Sequence, residues 1–224
     1  MDQSLALHLR ETQLSYEWLF ACTFSLLLLA IAYVRQDNLI RLVLIGFVKL
    51  QKEDSFNSES ERMGPAIFWL LTLNFVVGAS LALTFVLEQL FPAVNLHPIL
   101  AVVPLVFLIY WNAGQWVIFA LVGKHPIIRQ LKQHLRFSIS LGGLFFLFAA
   151  IVFSLNQSLS NIAVAVIFTG FLLMNLNRIF KGVISALAMT IPWYYIFMYF
   201  CLVEILPLVA IFVFYGDSLS AFVK

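Results

Sequence analysis

Six long apolar stretches constrain this chain more than anything else in it. They run over about 16–34, 65–87, 98–122, 137–155, 162–178 and 193–215. A transmembrane helix needs about 20 mainly apolar residues to cross a hydrocarbon core about 30 Å thick. The stretches are continuous and do not alternate apolar with polar, so they predict helices and not the strands of a barrel. Pro65 and Pro98 open their stretches, where a first helical turn loses nothing by lacking an N–H. The expectation is an all-α, polytopic transmembrane bundle of about six spans, forming one membrane domain over 1–224. Composition agrees: 62% of residues are hydrophobic and 11% charged, against about 45–50% and about 25% in soluble domains.

The connectors predict the orientation, because Lys and Arg collect on the cytoplasmic side. Arg35, Arg41, Lys49, Lys52 and Arg62 follow the first stretch, and Lys124, Arg129, Lys132 and Arg136 follow the third. Arg178 and Lys181 follow the fifth, while the second and fourth connectors carry no cation. Eleven of the 13 basic residues therefore fall on one side, which puts both termini on the outer side, periplasmic in a bacterium. Residues 1–17 hold Asp2, Glu11 and Glu17 against Arg10 alone, so they do not read as the basic start of a cleavable signal peptide.

Two connectors predict short helices lying in the cytoplasmic interface. In 39–50, Arg41 and Lys49 share a quadrant with Asn38 and Lys52 at 100° per residue. In 127–137, Arg129, Lys132 and Arg136 share one face, and Ile128, Leu131 and Leu135 another. The plainer expectation is anchoring to anionic lipid headgroups, favoured about three to one over a platform for a lipid or protein partner. Trp18, Trp69, Trp116 and Trp193 lie near the ends of the stretches, as in an interfacial aromatic belt. Asn175, Asn177, Arg178 and Lys181 are expected to end the fifth helix, with Arg178 and Lys181 as further candidates for headgroup contacts.

One acid, Glu204, falls deep inside a stretch, three residues before Pro207, which opens the helix locally. Counting at about 1.5 Å per residue brings Asn74, Asn112, Gln115 and Glu204 to a common depth within about one helical turn. The four are expected to form one buried polar cluster. Helix-to-helix pinning is favoured over an ion or proton pathway by about two to one.

Little else carries chemistry. His8, His97, His125 and His134 all lie in tails or connectors, not facing one another within spans as a haem bundle requires. Cys22 and Cys201 sit in apolar runs and read as core thiols. No nucleotide-binding, metalloprotease or serine-hydrolase motif occurs. No catalytic residue, metal site or cofactor is assigned, no basic patch suits a nucleic acid, and the enzyme question leans to no.

The end of the chain has a recognisable pattern: Trp193-Tyr194-Tyr195, Tyr199, Cys201 and Glu204-Ile205-Leu206-Pro207, with Arg178 upstream. It resembles a bacterial family of uncharacterised polytopic inner-membrane proteins whose closing helix reads YLC-x-x-EILPL; Phe200 stands where that family has leucine. The resemblance covers residues 175–209 and implies a bacterial inner-membrane location without implying a reaction. Three roles are weighed. A non-enzymatic accessory or subunit of an envelope membrane complex comes first, a small proton-coupled transporter using Glu204 second, and a membrane enzyme acting on lipid phosphates third. The expected partners are the lipid bilayer, anionic headgroups and a protein of such a complex.

Overall fold

The computed structural model describes residues 16–48, 64–90, 102–122, 126–155, 159–188, 192–199 and 201. These residues are helical throughout apart from short turns, with no strand among them. In chain order the helices are α1 (Tyr16–Arg35), α2 (Leu39–Val48), α3 (Pro65–Leu90), α4 (Val103–Val122), α5 (Pro126–Leu155), α6 (Ser160–Ala188) and α7 (Trp193–Tyr199). Four stretches within α1, α3, α5 and α6 are long and apolar enough to cross a membrane: Trp18–Arg35, Pro65–Glu88, Leu131–Phe153 and Ile162–Ala188.

α3 and α5 are the central pair; α1 packs chiefly on α3, α2 on α5, α6 on both α5 and α3, and α4 touches both central helices. Neighbouring residues give the directions. Ser25 meets Asn74, and Ala32 packs with Ile67 and Leu71, so α1 and α3 are antiparallel. Gly78 lies against Gly143 and Leu147, and Phe137 packs with Ile67, so α3 and α5 are parallel. Gly142 lies against Met174 and Gly182 against Leu131, so α5 and α6 are antiparallel. These directions bring Arg35, Arg41, Lys132, Arg136, Arg178 and Lys181 to one end of the bundle, called here the basic end.

The core has a large aromatic block between α3, α4, α5 and α6, which includes Phe75, Trp111, Ile139, Phe146 and Met174. A second block joins α1, α2, α3 and α5 through Leu39, Val43, Leu71 and Phe137. Burial of such side chains against each other leaves many large apolar ones outside, among them Trp69, Trp116, Phe168 and Phe180. Exposed apolar area on this scale is unstable in water and ordinary in lipid.

The helix borders differ from the sequence reading in two places. The stretch 127–137, expected as a separate interfacial helix, is continuous with the span that follows it as α5. Nothing between Ile127 and Phe137 breaks a helix, and Gln133, His134, Leu135 and Phe137 are buried by the bundle. The fifth helix does not stop near Arg178 but runs to Ala188. Lys181 and Ser185, at i and i+4, are both buried, and the first proline after Arg178 is Pro192. Of the third stretch, expected over 98–122, residues 102–122 are described and are helical from Val103. Of the sixth, 193–215, only Trp193–Tyr199 and Cys201 are described.

α2 does form the expected short helix. It turns out of α1 through Asn38, whose φ of 61° is left-handed. Asparagine tolerates that region better than most residues. Leu39, Val43 and Gly46 then make its buried face at i, i+4 and i+7, while Arg41 is exposed.

Candidate functional site

The most constructed polar arrangement lies at the basic end, where α2 finishes. The last carbonyls of any helix lack partners inside it and carry the negative end of its dipole. Here α6 supplies the partners. Lys181 Nζ donates to the Phe47 carbonyl and, at 3.4 Å, to the Gly46 carbonyl. Asn177 Nδ2 donates to the same Phe47 carbonyl at 3.3 Å. The Lys181 Nζ also sits 5.6 Å from the centroid of the Phe47 ring. Residues 177 and 181 are one turn apart, so both reach the same target from one face of α6.

Lys181 is only 3% exposed. Its Nζ, read from sequence as a headgroup contact, is turned to protein carbonyls. On the other side of α2, Gly46 touches α5 directly: a Cβ there would come within 2.5 Å of the Phe137 ring. α2 is thus held from α5 by shape and from α6 by hydrogen bonds. His134, Gln133 and Ser185 are buried in the same region of α5 and α6.

Two arginines lie on aromatic faces. The Arg136 guanidinium is 4.8 Å from the Phe68 ring centroid, and Arg178 is 5.0 Å from Trp111. Contacts of this kind contribute about 0.5–1 kcal/mol when exposed and about 2 when desolvated. Arg136 and Lys132 are exposed, and Arg129 lies in the first turn of α5.

Of the expected midplane cluster, Asn74, Asn112 and Gln115 are described. Asn74 is fully buried, and its Oδ1 accepts from the Ser25 hydroxyl of α1. Its Nδ2 meets no acceptor among the described residues, and a Cβ on Gly143 would lie 2.9 Å from it. Asn112 is exposed and donates back to the Leu108 carbonyl of its own helix at 2.9 Å. Gln115 is half-buried. Glu204 and Pro207 lie outside the described residues. The Asn74–Ser25 pair joins α1 to α3, and Ser25 carries no sequence signal beyond its place in an apolar run.

Such a pair has a known scale. Hydrogen bonds between membrane helices average about 0.6 kcal/mol, with a maximum near 1.7. A double-mutant cycle with Ser25→Ala and Asn74→Ala, read by reversible unfolding in detergent, is expected to give a coupling of about 0.6 kcal/mol. Zero coupling would mean the pair does not hold the two helices together.

Among the described residues no three His, Cys, Asp or Glu side chains group as metal ligands. A family model described as "Domain of unknown function (DUF4271)" matches residues 18–214. No curated protein matches the chain, and neither does any solved structure.

Proposed function

The chain belongs to the DUF4271 family of unknown function, and from its own geometry we propose that it is a non-enzymatic subunit or accessory protein of a bacterial envelope membrane complex. In this reading it spans the inner membrane about six times, the sixth span being 193–215, with both termini periplasmic and the basic end cytoplasmic. The uneven distribution of Lys and Arg supports that orientation. Arg129, Lys132 and Arg136 then lie where anionic headgroups are.

The observation that carries the reading is the fixing of α2. A helix that only rests among headgroups gains nothing from a set position. This one is seated by Gly46 against Phe137 and fastened by Lys181 and Asn177 to α6. Its outer face presents Ile40, Arg41, Leu44 and Val48. A surface fastened in this way costs a partner protein less ordering on binding.

The test is purification at native expression in mild detergent, with mass spectrometry of what accompanies the chain. A stoichiometric partner is expected, and it should be lost from a variant carrying Arg41→Glu and Leu44→Ala. Recovery of the chain alone, or undiminished partner on that variant, would overturn the proposal.

A further inference from the structure

The bundle contains a cavity of about 300 Å³ between α3, α4, α5 and α6, on the side away from the basic end. α3 lines it along one face with Phe75, Ala79, Ala82 and Val86. The small side chains of Ala79 and Ala82 leave the space, and the rings of Phe107, Phe146 and Phe171 wall it. An apolar cavity of about 150 Å³ stays dry and accepts a guest the size of benzene. This one is about twice that size, so its natural filling is hydrocarbon rather than water.

Three features select the kind of hydrocarbon. The first is length. Phe75 and Val86 are eleven positions apart on α3, about 16 Å at the helical rise, close to the ~15 Å of one leaflet's hydrocarbon. The second is the opening. Of the lining residues, Val103 is 45% and Phe168 68% exposed, so the cavity is continuous with the apolar outer surface of the bundle. The third is the direction. Val103 and Pro104 belong to the first turn of α4, at the level where that helix begins, while the opposite end is closed by rings. Trp111 lies beneath, 4.3 Å from Phe107 and 6.4 Å from Phe75 between ring centroids, and is itself buried.

We propose that this cavity binds one acyl chain of a phospholipid from the leaflet opposite the basic end, with the headgroup outside and the methyl end near Trp111. The proposal rests on the reading of the chain as a bilayer-spanning protein. It is independent of the partner assigned to α2.

Brominated acyl chains test it, because bromine quenches tryptophan only at short range. The full chain is prepared with Trp18, Trp69, Trp116 and Trp193 changed to Phe, leaving Trp111, and reconstituted into phosphatidylcholine vesicles. With bromines toward the methyl end of the chains, Trp111 is expected to lose most of its emission. With bromines near the carboxyl end it should lose much less. Ala79→Phe, which puts a ring across the cavity, should restore much of the emission, and Ala79→Val should restore less of it. Emission that is unchanged by either lipid, or equally quenched in a folded Ala79→Phe protein, would overturn the proposal. Should Ala79→Phe fail to fold, the dependence on bromine position decides alone. Flotation separates the two readings: a chain that does not float with the vesicles sinks the membrane reading, whereas a floating chain without this quenching sinks only the lipid site.

Discussion

Gly143→Leu is expected to abolish recovery of folded protein, and Gly143→Ala to destabilise it by about 1–3 kcal/mol. The reason is the identity of the neighbours. A Cβ on Gly143 would lie 2.9 Å from the backbone N and Cα of Phe75. A side chain in the way could rotate, but the backbone of α3 can move only as a helix. From the other side, a Cβ on Gly78 would come within 3.1 Å of the Gly143 carbonyl oxygen and the Leu147 nitrogen. The two glycines therefore let the central helices touch backbone to backbone. In lipid no hydrophobic force drives helices together, so this close packing is a main source of their affinity. Alanine gains up to about 1 kcal/mol over glycine in helix propensity, which offsets part of the loss.

Gly182→Ala is the control. Among the described residues its Cβ would meet Leu131 Cδ2 alone, at 3.3 Å, the end of a flexible side chain. That variant should melt near the parent temperature in detergent, while Gly143→Ala melts clearly below it. A Gly143→Ala protein as stable as the parent would mean that α3 and α5 do not cross where the structure puts them.

The long helices were legible because length and continuous hydrophobicity report directly on the solvent. α1 and α3 begin where the apolar runs begin, at Tyr16 and Pro65. The short helix at 39–48 was legible from its periodicity. What the sequence hid was burial at the helix ends. Lys181 reads in the sequence as a loop cation because charged residues usually mark the end of a span. Its role depends on the carbonyls of Gly46 and Phe47, about 135 residues earlier in the chain. His134 reads as a connector residue for the same reason, yet it is buried within α5.

The polar residues at the midplane show a second limit. Depth along a helix can be counted, but the azimuth around the bundle cannot be known before the packing is. Asn74 and Asn112 match in depth when counted along their helices. In the structure Asn74 faces α1 and Gly143, while Asn112 folds back on Leu108. Ser25, the residue that answers Asn74, has the same depth and the right azimuth, but a single serine in an apolar run is too common to be singled out. The cavity was hidden for a related reason: Ala79 and Ala82 read as ordinary helix formers until the aromatic rings facing them are placed.

Lys181→Met should loosen α2 while leaving the bundle intact. Methionine keeps most of the volume of lysine and removes its donor, so packing changes little. The carbonyls of Gly46 and Phe47 then lose the Lys181 donor, and among the described residues Asn177 alone remains for Phe47. A buried acceptor left without its partner costs about 1–3 kcal/mol. At about 1.4 kcal/mol per tenfold change, amide exchange over Leu39–Val48 should accelerate about 5- to 150-fold. Exchange in α3 and α5 should change far less, because those two helices also touch each other backbone to backbone at Gly78 and Gly143. Asn177→Ala removes the weaker of the two donors and should produce a smaller acceleration in the same segment. Gly46→Leu reaches α2 from the opposite side, through the Phe137 ring, and should give at least the Lys181→Met effect. If α2 exchanges at the parent rate in Lys181→Met, the helix is held by its apolar face alone, and α6 contributes nothing to the platform.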